Sequence, residues 1–207
     1  SYVTYFDSPA DYKNRRTFLH FDGIYSAAFV WVNGQYVGYT QGSNNVTEFD
    51  VSKYLTDGRN RLAVQVFRWS DGSYLECQDI FRDVYVYDVP KAAIRDHVLT
   101  AKFFENFSDA ALNVNLTFDN RDNVSGSRRL VVKLYDPAGK QVGEKSVEVA
   151  LTPGNVTDAN LNIHVPHFVA WTAETPNLYT VRIQQFDGDR EEMAFSTKYG
   201  FRDIRVA

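Results

Sequence analysis

Alternation of apolar and polar residues runs through the second half of the chain and predicts β-strands there. Between Leu112 and Phe118 every second residue is apolar, with Asn113, Asn115 and Thr117 in the intervening positions. Successive side chains of a strand point to opposite faces, so this pattern places one face against a core and the other in water. The same alternation recurs at 130–134, 147–151, 161–165 and 179–183.

In the first half, turn residues separate runs of aromatic and β-branched residues. Asn33-Gly34 stands between two such runs, at 29–32 and 36–39. Because Asn and Gly tolerate positive φ values, the pair predicts a β-hairpin closed by a tight type I′ turn. Further turn signals lie at Asp22-Gly23, Asp57-Gly58, Asp71-Gly72, Pro153-Gly154 and Asp187-Gly188.

The remaining patterns of the first half concern one strand and one helical turn. Segment 61–67 is largely apolar on both of its alternating faces, which favours a central strand of a sheet. No long run has the 3.6-residue period of an amphipathic helix. The only helix candidate is one turn at 51–55, with Asp50 as its N-cap.

Short strands separated by turns, with hardly any helix, predict an all-β fold made of two antiparallel β-sandwich domains. The 207 residues suit two domains of about 100 residues each. Val89-Pro90-Lys91 fits a boundary between them, because proline has no backbone N–H for a strand ladder. We therefore expect domains at 1–90 and 91–207.

Composition and charge narrow the classes of function. Hydrophobic residues make up 44% of the chain, enough to fill a core, and the net charge is -4. Without a basic stripe, nucleic acid is not an expected partner, and without an 18-residue apolar run no membrane is either. Cys77 is single and has no neighbours at zinc-ligand spacing, so neither an intrachain disulfide nor a zinc site is expected. We expect a soluble protein, and a bacterial-type cytoplasm and periplasm both stay open.

Several residue strings of the first half resemble the β-galactosidase branch of glycoside hydrolase family 2. The longest is Arg68-Trp69-Ser70-Asp71-Gly72-Ser73-Tyr74-Leu75-Glu76, followed by Gln78-Asp79 and Ile80-Phe81-Arg82-Asp83-Val84. This string favours the β-galactosidase branch over the glucuronidase and mannosidase branches. Supporting matches are Phe21-Asp22-Gly23, Val30-Trp31-Val32-Asn33-Gly34, Val37-Gly38-Tyr39, Glu48-Phe49-Asp50, and Gly58 with Asn60 and Leu62.

The second half is similar to the same family. Pro166 with Trp171, and Pro176-Asn177-Leu178-Tyr179, resemble its immunoglobulin-like domain. Gly200-Phe201-Arg202-Asp203-Ile204 resembles the segment that leads into its catalytic barrel. The resemblance implies a galactose-binding-like jelly roll at 1–90, which we expect to be incomplete at its start, and an immunoglobulin-like β-sandwich at 91–207.

For function, the resemblance implies the non-catalytic accessory region of a larger enzyme. That enzyme would hydrolyse terminal non-reducing β-D-galactose residues with retention of configuration, and it would be a homo-oligomer. The family's catalytic glutamates lie in the barrel, so this segment is expected to hold no catalytic residue and to be inactive alone. Its partners would be the catalytic barrel of the same polypeptide and a galactoside substrate. Sodium and magnesium would belong to the larger enzyme, with no cofactor bound by this segment alone.

The resemblance carries over two candidate substrate-binding residues, Asp79 and Tyr25. An aspartate at the Asp79 position reaches the neighbouring active site, where it contacts galactose hydroxyls and helps to bind a sodium ion. A carboxylate suits both roles because it accepts hydrogen bonds and is a hard oxygen ligand. Tyr25 stands where the family often has an asparagine that lines the same pocket, and a phenol cannot copy an amide. Family members also carry several more residues between Asp79 and Ile80, so either this loop is shorter or part of it is missing from the sequence.

Other polar and aromatic residues have simpler structural interpretations. Glu76, Asp79 and Asp83 are close in sequence, but a retaining glycosidase needs two carboxyls about 5–5.5 Å apart, one with a raised pKa. A polar loop has no buried pocket to raise that pKa. His164 and His167 would face opposite sides of a strand, which argues against joint metal ligation. Core packing rather than sugar stacking is expected of Trp31, Trp69 and Trp171.

Two functions of other classes stay open beside the accessory region. One is a stand-alone carbohydrate-binding module, which exposed aromatic residues on the jelly roll would support. The other is a structural interaction domain at a cell surface. A stand-alone module would bind sugar without any further domain, so sugar binding by this chain alone distinguishes it from the accessory region.

Overall fold

The structure is a computed structural model, and it describes residues 1–42, 44–67, 79–104, 107–120 and 124–203. The chain divides into two compact units, Ser1–Pro90 and Lys91–Ala207. Antiparallel strands make up nearly all of the regular secondary structure in the described residues, so the prediction of an all-β fold with two β-sandwiches is confirmed. The segment 68–78, with Trp69, Glu76 and Cys77, lies outside the described residues.

Unit 1 contains two antiparallel sheets that enclose one core. Its strands are β1 (Tyr2–Asp7), β2 (Arg15–Phe21), β3 (Ala27–Val32), β4 (Gln35–Gln41), β5 (Thr47–Asp50), β6 (Arg59–Phe67) and β7 (Val84–Pro90). The order is β1-β6-β3-β4 in one sheet and β5-β2-β7 in the other. Alternate residues of both sheets contribute to a single buried cluster that includes Leu19, Phe21, Val30, Val32 and Val64.

The predicted hairpin and the predicted central strand are both confirmed. β3 and β4 pair across Asn33 and Gly34, whose φ angles of 51° and 79° are those of a type I′ turn. β6 is central because it pairs with β1 on one side and β3 on the other. One of its faces packs on the core, where Val64 is 3% exposed, whereas Phe67 on the opposite face is 43% exposed.

A 3-10 turn at Ser52–Tyr54 lies within the predicted one-turn helix. Asp50 accepts hydrogen bonds from Ser52 N (3.1 Å) and Ser52 Oγ (2.6 Å). The N-cap position itself belongs to Val51, so Asp50 acts one residue before the predicted cap.

A second 3-10 turn, at Tyr12–Asn14, shows that the prediction of a single helix candidate was wrong. The turn buries none of its residues and is closed by local hydrogen bonds between Asn14 and Asp11. It is one turn long, which is too short to display the apolar period of a helix. Within the described ranges, no helix is both long and apolar enough to traverse a lipid bilayer.

Unit 2 also contains two antiparallel sheets around one core. Its strands are β8 (Ala93–Phe103), β9 (Ala110–Asn120), β10 (Gly126–Tyr135), β11 (Gln141–Leu151), β12 (Asn155–Val165), β13 (Tyr179–Asp187) and β14 (Arg190–Tyr199). The order is β11-β10-β13-β14 in one sheet and β12-β9-β8 in the other. The predicted alternation is confirmed on β9, where Leu112, Val114, Leu116 and Phe118 are at most 1% exposed.

Candidate functional site

Asp79 and Tyr25, the two candidate substrate-binding residues, meet through their main chains. Ile24 and Ile80 form an isolated antiparallel bridge, and Tyr25 N donates a 3.0 Å hydrogen bond to the Asp79 carbonyl oxygen. Ile24 belongs to the buried core of unit 1, which anchors the bridge. The structure thus brings the two residues together, while their role in binding substrate stays a prediction.

Two donors hold the Asp79 carboxylate by the same oxygen. Oδ1 accepts hydrogen bonds from Tyr2 Oη (2.6 Å) and from Ile80 N (2.8 Å). Both hydrogen bonds lower the pKa of Asp79 from its ordinary value, and the one from Tyr2 has the larger effect. Because the pKa is low, Asp79 is ionised at neutral pH and can accept hydrogen bonds or contact a cation.

Tyr2 is the residue of this site that the sequence patterns do not reveal. It lies on β1, 77 residues before Asp79, and its side chain is 44% exposed. The hydrogen bond to Asp79 also raises the pKa of Tyr2, so the phenol keeps its proton and remains the donor. In the sequence Tyr2 is one aromatic residue in a strand-like run, and no signal there distinguishes it.

The Asp79 carboxyl does not have the electrostatics of a general acid. A retaining glycosidase needs a carboxyl with a raised pKa, and the pKa of Asp79 is lowered. Asp83 contacts its neighbours here through its main chain: its carbonyl oxygen accepts a hydrogen bond from Asp22 N (3.0 Å). Glu76 lies outside the described residues. The lowered pKa suits Asp79 as a hydrogen-bond acceptor and not as a general acid.

The predicted sodium contact at Asp79 has few oxygen atoms around it. Among the described residues, the Tyr2 hydroxyl is the side-chain oxygen that bonds to this carboxylate, and no group of three or more His, Cys, Asp or Glu side chains could hold a metal ion. Hard cations such as calcium take about six or more oxygen ligands. These residues alone do not make a cation site, and sodium and magnesium stay predictions for a longer polypeptide.

A second polar cluster of unit 1 surrounds His20, for which the sequence suggested no partner. The side chain is 8% exposed, with Nε2 2.8 Å from Asp22 Oδ1 and Nδ1 3.0 Å from Glu48 Oε1. Tyr87 donates to the same Glu48 oxygen (2.6 Å), and the ring of Tyr85 stacks on the imidazole with centroids 4.5 Å apart. Burial first, then nearby carboxylates, raises the pKa of Tyr85. Because these groups link β2 with β5 and β7, we assign the cluster a structural role.

His164 and His167 do not face opposite sides as predicted. His164 Nε2 lies 3.6 Å from Asp109 Oδ2, and His167 Nδ1 lies 3.9 Å from Asp109 Oδ1. Strand alternation does not apply because β12 ends at Val165 and His167 has a φ of 51°. The three side chains are not a group that could hold a metal ion.

The prediction that Trp31 packs in the core is wrong. Along β3 the residues Val30 and Val32 are fully buried, whereas Phe29 and Trp31 lie half-buried on the opposite face. With two tyrosines of β4 they form an outer aromatic cluster, in which ring centroids are 4.9 Å (Phe29–Tyr39) and 5.8 Å (Trp31–Tyr36) apart. Trp171 of unit 2 is also only half-buried, and the Arg202 guanidinium lies 5.2 Å from the centre of its ring.

Family comparison assigns each unit to a described domain. Residues 1–90 match the model for "Glycosyl hydrolases family 2, sugar binding domain", and residues 92–202 match the model for "Glycosyl hydrolases family 2". A solved family 2 member from Bacteroides cellulosilyticus superimposes with a TM-score of 0.91 at 22% identity, covering 98% of this chain and 28% of that one. This similarity shows that the fold is shared.

Curated relatives match the chain over its whole length. A beta-galactosidase from Priestia megaterium is 34% identical over 214 residues, which cover 99% of this chain and 21% of that protein. A beta-galactosidase from Clostridium acetobutylicum is 34% identical over 216 residues, which cover 100% of this chain and 23% of that protein. The chain therefore spans about a fifth of the length of these relatives, and both of its units are family domains. It belongs to glycoside hydrolase family 2.

Proposed function

We propose that this chain is the non-catalytic accessory region of a β-galactosidase that hydrolyses terminal non-reducing β-D-galactose residues with retention. Unit 1 shapes the rim of the active site, and unit 2 docks it on the catalytic barrel of the same polypeptide. One observation supports the proposal most: this chain is similar over its whole length to beta-galactosidases, and the match covers only about a fifth of their length.

The chemistry of Asp79 supports a contact with the galactoside. Its lowered pKa keeps the carboxylate ionised, and sugar hydroxyls are hydrogen-bond donors that suit such an acceptor. Tyr25 is joined to Asp79 by a main-chain hydrogen bond, and this proximity to Asp79 is what supports its proposed contribution to substrate binding.

Turnover of a nitrophenyl β-galactoside tests the proposal. We expect none from the 207-residue chain, because the family resemblance places the catalytic glutamates in the barrel and the lowered pKa of Asp79 does not suit a catalytic acid. In the longer polypeptide we expect turnover, with kcat/KM lowered about tenfold to hundredfold by Asp79→Ala, the effect of losing a hydrogen bond to a charged group.

Asp189→Ala is the matched control, because Asp189 is exposed in the turn between β13 and β14 of unit 2. It should leave kcat/KM unchanged. Turnover by the 207-residue chain would refute the non-catalytic assignment, and an Asp79→Ala enzyme as active as the control would refute the substrate contact.

A stand-alone carbohydrate-binding module is a second candidate, and one observation favours it. The outer aromatic cluster presents Tyr36 (51% exposed) and Tyr39 (42% exposed) on a sheet face, a surface on which sugar rings can stack. Calorimetric titration of the 207-residue chain with galactose and lactose separates the two candidates. Millimolar or tighter binding favours the module, and flat heats favour the accessory region.

A further inference from the structure

The two oxygens of the Asp79 carboxylate are not equivalent. Oδ1 accepts both hydrogen bonds, from Tyr2 Oη and Ile80 N. Among the described residues, no hydrogen bond to Oδ2 accompanies them. A carboxylate oxygen has two lone pairs, so these donors saturate Oδ1, whereas no described residue uses the accepting capacity of Oδ2.

The two donors belong to separate parts of unit 1, and each is fixed by the sheet structure. Tyr2 lies on β1, which pairs with β6 from Tyr2↔Val64 to Asp7↔Arg59. Ile80 is held by its bridge to Ile24, which is 3% exposed. Two donors from independently anchored segments fix both the position and the rotation of the carboxylate.

We propose that Tyr2 is a positioning residue, whose hydroxyl holds Oδ1 of Asp79 so that Oδ2 accepts the hydrogen bond from a galactoside hydroxyl. This inference rests on the proposed contact between Asp79 and the substrate. A side chain held in its binding geometry loses less rotational freedom when the ligand arrives, which is how a positioning residue strengthens binding.

The protonation states of the pair agree with this arrangement. The hydrogen bond raises the pKa of Tyr2 and lowers that of Asp79, so a neutral phenol faces an ionised carboxylate at neutral pH. A neutral phenol donates one proton, and an ionised carboxylate only accepts. The direction of the hydrogen bond is therefore fixed from Tyr2 to Asp79.

An NMR titration of the Asp79 carboxyl carbon in the 207-residue chain tests the contact without any catalysis. In Tyr2→Phe the pKa of Asp79 should rise toward its ordinary value, because the largest cause of its lowering is gone. Tyr5→Phe is the matched control, since Tyr5 is 51% exposed on the opposite face of the same strand. An Asp79 pKa that is the same in both variants overturns the proposal.

Kinetics in the longer polypeptide test the consequence. Tyr2→Phe should lower kcat/KM about threefold to tenfold, mainly by raising KM, while Tyr5→Phe leaves it unchanged. In a double-mutant cycle, Tyr2→Phe should have no further effect once Asp79→Ala is present, because Tyr2 acts through Asp79.

The outcomes separate this inference from the proposed function. If Asp79→Ala has no effect, the substrate contact itself fails. If Asp79→Ala lowers kcat/KM but Tyr2→Phe does not, or the two effects simply add, the positioning role fails and the proposed function stands.

Discussion

Asn60 shows how one buried polar side chain holds together the loop that precedes β6. The residue is fully buried, and its Oδ1 accepts hydrogen bonds from Asn33 Nδ2 (2.7 Å) and Thr56 N (2.8 Å). Its Nδ2 donates to the carbonyl oxygens of Thr56 (3.0 Å) and Gly58 (2.8 Å). All of the amide's hydrogen-bonding capacity is used, as burial requires.

Asn60→Ala should therefore lower the free energy of unfolding by about 3 kcal/mol, because it removes at once the hydrogen bonds that this buried amide makes to Asn33, Thr56 and Gly58. Urea denaturation followed by circular dichroism measures the change. Asn44→Ala is the control: Asn44 is exposed in a turn, and its replacement should change stability by less than about 0.5 kcal/mol. Equal midpoints for the two variants would contradict the role given to Asn60.

The residues of the candidate site differ in how far the sequence predicts them. Asp79 follows a string that resembles a known family, so its role can be hypothesised from the residue string alone. Tyr2 cannot be found in that way, because its importance comes from one contact across 77 residues. Trp31 shows a related limit: alternation predicts that Val30 and Trp31 lie on opposite faces, but not which face is covered.

At the scale of elements, Asp50 joins the end of β5 to the 3-10 turn that follows it. Burial raises the pKa of Asp50, but hydrogen bonds from Ser52 and the charge of Arg16 outweigh that effect and leave the pKa below 3.8. Ser52 Oγ also accepts a 2.8 Å hydrogen bond from Thr17 N on β2, so the junction extends to a third segment. The charge on Asp50 is therefore linked to the stability of the sheet β5-β2-β7.

A carboxyl whose pKa is lower in the folded state stabilises the fold above its unfolded-state pKa, and this contribution disappears as the pH falls through the folded-state pKa. Asp50→Asn should thus be less stable than the unmodified chain near pH 7, and the difference should shrink as the pH falls below 3.8. Urea denaturation at a series of pH values measures the difference. Asn44→Ala should run parallel to the unmodified chain at every pH, and a constant gap for Asp50→Asn would rule out the linkage.

Elements were predictable where a periodic pattern or a turn residue determines them. The alternation from Leu112 to Phe118 lies on β9, and the Asn33-Gly34 pair closes the hairpin it predicts. The turn at Tyr12–Asn14 was not predictable, because it is a single turn that depends on the local pair Asp11 and Asn14.

At the scale of the whole molecule, each unit has a hydrophobic core of its own. The cluster of unit 1 lies within 19–64 and that of unit 2 within 92–201, so they share no residue. At the start of unit 2, the fully buried Gln185 donates to the Ala92 carbonyl oxygen (2.8 Å) and accepts from Ile94 N (3.3 Å). The sequence indicated a boundary at Pro90. It did not indicate that the buried Gln185 side chain would fix the start of β8.

Separate cores predict that damage to one unit leaves the other intact. Leu19→Ala in unit 1 and Leu116→Ala in unit 2 remove side chains that are 1% and 0% exposed, and each should lower the stability of its own unit by about 2–5 kcal/mol. Hydrogen exchange read by mass spectrometry reports on both units in one sample. Leu19→Ala should speed exchange in peptides from 1–90 only, and Leu116→Ala in peptides from 91–207 only, so that each variant is the control for the other. Faster exchange throughout the chain in either variant would mean that the two cores unfold as one cooperative body.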